Sequence, residues 1–182
     1  MNRKGIFVTT KPEALQDIGA LLRQARLSAG LTQEQVADLA GLSRPRYRDI
    51  ETGAAAARIG HVLVHQCGVL PGDRVAISMR NYPEWMLAFN AATSIGAVAV
   101  AMNAHWQADE MAYGLQDSGA KVLIADREFH EVIHAAVAML DHPPLVIDLD
   151  DPEYGEGQPV SDLDYEAFLA EGDPEFAWQW PN

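Results

Sequence analysis

Three arginines stand within five residues in Ser43-Arg44-Pro45-Arg46-Tyr47-Arg48-Asp49. A guanidinium carries a planar fork of donors that grips a guanine edge or a phosphate with two hydrogen bonds. On a short helix Tyr47 and Ile50 form the apolar side, so Arg44, Arg46 and Arg48 must project elsewhere. A second candidate is His130-Glu131-Val132-Ile133-His134. Spacing i, i+4 puts both imidazoles on one helical face, as in zinc hydrolases, with Glu131 as a general base and His142, Glu153 or Glu156 as third ligand. No Gly-x-x-His follows, and all six histidines crowd the second part of the chain, so a chance surface pair is the better account. No metal is assigned. A third chemistry, nucleotide activation, needs a Ser/Thr/Gly-rich loop whose N–H groups cradle phosphates. The sequence holds none, and no catalytic residue is assigned.

The elements around the arginines are helical. Leu15, Ile18, Leu22, Ala25 and Ala29 form one stripe, and Gly30 follows at a helix end. Thr32-Gln33-Glu34-Gln35 is a capping box that starts a helix ending at Gly41. Ser43 caps a third helix, with Pro45 in its first turn, where the missing N–H costs little. Gly53 ends it, and residues 54–69 read as a fourth helix. The pattern changes at Leu70-Pro71-Gly72-Asp73, a turn. Strands are expected at 74–79, 97–101, 121–125 and 145–147, and helices at 82–95, 107–117 and 127–140. Apolar strands alternating with helices imply a parallel sheet covered on both faces. The last strand is expected to leave an unpaired edge. Residues 150–182 are rich in Asp, Glu, Gly and Pro, with a short helix at 165–170. The fold class is thus α + α/β: an arm over 1–14, an all-α unit over 15–60 and a partial parallel α/β unit over 61–182.

Leu31-Thr32-Gln33-Glu34-Gln35-Val36-Ala37-Asp38-Leu39-Ala40-Gly41-Leu42-Ser43, with Ile50-Glu51-x-Gly53, resembles the Cro/repressor (XRE) type of helix-turn-helix. That resemblance implies duplex DNA as partner. Gln33 and Ser43 would touch backbone or bases; Arg44, Pro45, Arg46 and Asp49 would face the groove; Arg48 would lie near phosphates. Arg26 and Glu51 match the family's structural interhelical ion pair. Pro45 offers a base edge little, and Asp49 would repel phosphate.

Gly68-Val69-Leu70-Pro71-Gly72-Asp73-Arg74-Val75-Ala76-Ile77, Asn81-x-Pro83-Glu84-Trp85, Gly96-Ala97-Val98 and Asp117-Ser118-Gly119-Ala120-Lys121-Val122-Leu123-Ile124 resemble the start of the AMP-binding acyl-CoA synthetases. The run Asp164 to Pro181 looks like the segment just before that family's ATP-binding loop. ATP, magnesium and CoA are what the resemblance implies for the full-length family; its phosphate loop, ribose-binding acid and catalytic lysine would fall beyond Asn182, so no cofactor is assigned to these residues. Two readings follow: a DNA-binding regulator with a catalytically incomplete synthetase-like appendage, or a truncated or recombined fragment of an ATP-dependent ligase. A chimera without selected function is a third.

Charge divides along the same line. Residues 1–60 hold 9 Lys/Arg and 6 Asp/Glu, a balance of +3; residues 61–182 hold 4 and 20, a balance of −16. One cysteine, Cys67, precludes an internal disulfide. The apolar run Ile6-Phe7-Val8 is too short for a signal peptide, and no stretch reaches the roughly 18 apolar residues of a membrane span. The expectation is a cytoplasmic protein with no membrane partner, acting as a monomer or a homodimer.

Overall fold

A computed structural model describes residues 13–80, 83–103, 105–150 and 158–177, with burial defined from residue 19 onward. The chain opens with four helices: α1 (Glu13–Ser28), α2 (Gln33–Leu39), α3 (Arg44–Thr52) and α4 (Ala54–His65). The expected arm lies mostly outside the described residues. The rest alternates: β1 (Arg74–Ser78), α5 (Pro83–Ser94), β2 (Val98–Ala101), α6 (Ala108–Ser118), β3 (Val122–Asp126), α7 (His130–Ala138), β4 (Leu145–Leu149) and α8 (Tyr165–Ala170).

The four strands form one parallel sheet in the order β2-β1-β3-β4. Val75, Ile77, Val122, Ile124 and Ile147 face α4, α5 and α8 on one side; Ala76, Leu123, Ala125 and Val146 face α6 and α7 on the other. The interiors of β1 (Val75 to Ile77) and β3 (Val122 to Ala125) are therefore continuously apolar, because both faces are covered. The expected helix from residue 127 begins instead as a 3₁₀ turn over Arg127–Phe129, with the Asp126 carboxylate accepting from the Glu128 N–H at 3.0 Å.

The expected open edge is corrected. The outer side of β4 is covered by residues 160–164: the Asp148 N–H donates to the Leu163 carbonyl at 2.7 Å, and the Ser161 hydroxyl donates to the Val146 carbonyl at 2.7 Å. The exposed edge among the described residues is β2, where Val98 is half exposed.

α4 joins the two parts. Its Ala56, Ile59, Val62 and Leu63 are buried in the same cluster as Leu87, Ala88 and Ala91 of α5 and Phe168 of α8. The chain after α8 clamps it from outside: Arg58 donates to the Gly172 carbonyl at 2.8 Å, and a side chain at Gly172 would collide with the Arg58 backbone at 2.6 Å. Residue 60 thus falls inside a helix that belongs to the core of the α/β layer and also follows α3 directly through Gly53.

Candidate nucleic-acid interface

The corner that carries the arginines is built by local chemistry. Thr32 accepts from the Gln35 N–H at 3.2 Å, and the Gln35 side chain accepts from the Thr32 N–H at 2.8 Å, closing the capping box of α2. At the other end Gly41 takes a left-handed φ of 67°, and the Leu42 N–H reaches the Ala37 carbonyl at 2.8 Å. This six-to-one bond stops α2 and turns the chain. Ser43 then accepts from the Arg46 N–H at 3.3 Å and starts α3.

α1 crosses α3 at Gly19, where any side chain would run into the Glu51 carbonyl. The crossing is fixed by Arg26 and Glu51. The Arg26 Nε donates to Glu51 Oε2 and its Nη2 to Oε1, both at 2.8 Å, while Nη1 donates to the Leu31 carbonyl at 3.0 Å. Glu51 is 6% exposed. The hydrogen bond from Arg26 holds its carboxyl below the usual range against the opposing effect of burial. Gln33 and Tyr47 also bear on the Glu51 carboxylate, so the first residue of α2 is tied to the end of α3.

The expected groove residues separate into two groups. Arg44 and Pro45 are exposed. Arg48 is exposed, and its guanidinium donates to Asp49 Oδ1 at 2.8 and 3.0 Å, which neutralises the acid expected to repel phosphate. Arg46 is exposed as well, with 42% of its side chain accessible, but its guanidinium is already engaged by carboxylates of the α/β layer. Its Nη2 is hydrogen-bonded to Glu84 Oε1 on α5 and lies 3.4 Å from Glu166 Oε1 on α8. Glu84 is 5% exposed and needs a counter-charge, because a buried carboxylate without one is costly. Burial disfavours the Arg46 charge, but Glu84 more than offsets this and raises its pKa. Ser43, Arg46 and Asp49 therefore line a polar cavity of about 530 Å³ shared with Glu84, Tyr165 and Glu166. Neither glutamate stood out in the sequence: each sits in the first turn of a helix, where an acid ordinarily serves the helix dipole.

The other cations are engaged within the α/β layer. Arg74 donates to the Ser118 and Gly119 carbonyls at 2.6 and 2.8 Å. Arg80 meets Asp126 at 3.1 Å and Glu128 at 2.5 Å. Lys121 meets Asp73 at 3.1 Å. Arg127 is paired with Asp148, and with Asp150 at 2.5 Å, and the Asp148 hydrogen bond raises its pKa. Burial pushes the Cys67 thiol up to about 11, which leaves it a poor nucleophile near neutral pH. In the His130–His134 segment, His134 Nε2 lies 3.0 Å from the Pro159 carbonyl; of the third-ligand candidates, Glu153 and Glu156 lie outside the described residues. Among the described residues no three His, Cys, Asp or Glu side chains converge.

Comparison with known proteins fixes the class of the larger part. The family described as AMP-binding enzyme matches residues 47–176, more than half of the chain, and the chain belongs to that family. A helix-turn-helix domain matches residues 17–74, so the two matches overlap on α4. A 3-hydroxybenzoate--CoA/4-hydroxybenzoate--CoA ligase of Thauera aromatica is 36% identical over 114 residues, covering 63% of this chain and 21% of the relative. The long-chain-fatty-acid--CoA ligase FadD13 of Mycobacterium tuberculosis is 35% identical over 134 residues, covering 74% and 26%. Among solved structures, a Mycobacterium tuberculosis fatty acyl CoA synthetase aligns with TM-score 0.53 and 31% identity over 68% of this chain and 22% of its own. The anthranilate CoA ligase AuaEII, solved with anthranoyl-AMP, aligns with TM-score 0.58 and 26% identity, covering 69% and 23%. The chain spans about a quarter of the length of these relatives. No described helix is long and apolar enough to cross a membrane.

Proposed function

We propose that residues 15–60 are an XRE-type DNA-binding module with a transcriptional role in the cytoplasm, carried on residues 61–182 as an acyl-CoA-synthetase-like unit, with α4 crossing the boundary and serving both. The observation that carries the reading is the α2–α3 corner. Its two caps, the left-handed Gly41 and the Arg26–Glu51 staple hold a short helix at the surface with Arg44 and Arg48 outward. Gln33 and Ser43 stand at the two helix starts, where N–H groups and side chains meet phosphate. Pro45 and Asp49 complete the surface of α3, and Arg46 is its third cation once Glu84 and Glu166 release it. Duplex DNA is the partner, met by a monomer or a homodimer.

Few phosphate contacts are available, so binding to non-specific duplex should be weak, on the order of 10⁻⁴–10⁻⁶ M, and steeply reduced by salt. Arg44→Ala with Arg46→Ala should abolish retention of the duplex. Retention unchanged in that double variant would contradict the proposal.

A second reading is favoured by the family match over residues 47–176. Here the α/β unit is the opening part of an ATP-dependent acyl-CoA ligase. The DNA directly following codon 182 separates the readings: a Ser/Thr/Gly-rich loop encoded there favours the ligase reading.

A further inference from the structure

On the other flank of α3, away from Arg46, lies an apolar cavity of about 340 Å³. Leu22 of α1, Val36 of α2, Ile50 of α3 and Met86 and Leu87 of α5 contribute to its walls, and among the described residues no charged side chain lines it. It therefore sits where the helix-turn-helix meets the α/β layer. An empty apolar space of this size forfeits dispersion contacts, and dry cavities less than half as large, about 150 Å³, already accept benzene. The volume falls in the ordinary range of small-molecule pockets.

One amide stands in the apolar lining. Asn90, on α5, is 8% exposed and borders the cavity, and among the described residues its amide has no hydrogen-bond partner. Neighbouring Thr93 bonds the Asn90 carbonyl, not its side chain. The amide opens onto the cavity, where water satisfies it, and a ligand atom that donates to or accepts from it would take that water's place. A charged ligand would find no counter-charge among the described residues of the lining and would lose its hydration.

We propose that this cavity binds a small neutral molecule: an apolar ring or chain on the order of a dozen non-hydrogen atoms, judged against the benzene-sized cavity, with a single hydroxyl or carbonyl group set against Asn90. Such a ligand touches α3 and α5 together. Ile50 and Leu87 also border the polar cavity that holds Arg46, Glu84 and Glu166, so occupancy fastens α3 in its docked position. On the DNA-binding reading, on which this last step rests, the ligand weakens DNA retention.

Calorimetric titration of the full chain with 2-naphthol tests the site, with 2-naphthoate as the charged comparison. The expected result is saturable one-to-one binding of 2-naphthol and at least tenfold weaker binding of 2-naphthoate. Asn90→Leu should weaken 2-naphthol about fivefold, one hydrogen bond's net worth. Ala40→Phe, which fills the cavity mouth, should abolish binding while far-ultraviolet circular dichroism stays unchanged. If Ala40→Phe unfolds the protein, the comparison of Asn90→Leu and of the two naphthalene probes still decides. Non-saturable binding, equal affinity for both probes, or an Asn90→Leu variant that binds like the parent overturns the proposal. A duplex-retention assay run alongside keeps the two readings apart. Saturable, Asn90-dependent binding in a protein that retains no DNA supports the pocket and removes only the helix-turn-helix reading.

Discussion

The two parts of the chain differ in how many of their cations are tied down: in the helical part Arg26 and Arg58 are held by Glu51 and the Gly172 carbonyl, but the arginines of α3 are not all so engaged. In the α/β layer all four, Arg74, Arg80, Lys121 and Arg127, are tied to the unit's own carboxylates or carbonyls. In the helical part Arg44 stands free at the surface, Arg48 is bonded only to the neighbouring Asp49, and Arg46 is shared across the junction. The first arrangement consolidates a fold and leaves no positive field for a polyanion over a surface balance of −16. The second leaves one. The contrast teaches that counting basic residues says less than asking what each already holds.

The largest effect expected from this contrast is an absence. The 182-residue polypeptide should not exchange pyrophosphate into ATP with any carboxylic acid, because attack on the triphosphate needs its charge held and neutralised. Exchange above a heat-treated control, in protein free of host synthetase, would break the comparison at its acidic end. Next in size is the staple of the helical part. Glu51→Ala removes one partner of a nearly buried pair and should cost about 3 kcal/mol. Arg26→Ala should lower the melting temperature as well. Melting curves indifferent to both changes would mean that the crossing of α1 and α3 does not rest on this pair.

Much of this arrangement was legible from the chain. The Thr32–Gln35 box, the left-handed Gly41 and Ser43 mark helix starts and stops within a few residues, and such signals act locally. The apolar runs at β1 and β3 announced a sheet covered on both sides. What escaped was long-range. Arg46 and Glu84 are 38 residues apart in sequence, and neither position carries a pattern that pairs them. Residues 160–164 cover β4 through main-chain and side-chain bonds that composition does not encode, which is why the open edge is β2. Asn90 reads as an ordinary polar residue in an alanine-rich helix. Its isolation becomes visible only when α1, α2 and α3 close over it.

The pH dependence sharpens the comparison further. Hydrogen bonding from Arg26 holds the Glu51 carboxyl below its ordinary 4.5. Its folded pKa is depressed, so the stability it contributes is complete above about that value and is lost as pH falls through the folded pKa. Melting temperature should therefore drop below pH 4.5, and Glu51→Gln, already weakened, should show a shallower decline. Parallel declines would assign the acid sensitivity to other groups, among them Asp73, whose carboxyl is also held low, first by the Leu70 N–H. The smallest expected effect is at the clamp on α4. Arg58→Ala loses one hydrogen bond to the Gly172 carbonyl and should cost about 1 kcal/mol in chemical denaturation. A loss several times larger would make that clamp a main support of the junction.

The central claim is that the surface of α3 binds DNA and that Glu84 and Glu166 compete for one of its arginines. Fluorescence anisotropy of a labelled duplex tests it most directly, with Glu84→Gln/Glu166→Gln compared against Glu131→Gln/Asp141→Asn, which removes the same charge from exposed sites on the far side of the sheet and beyond it. The predicted result is a gain in affinity of about fivefold, the worth of one surface ion pair, beyond that of the control variant. Equal affinities in the two variants, or no duplex binding by either, would contradict it.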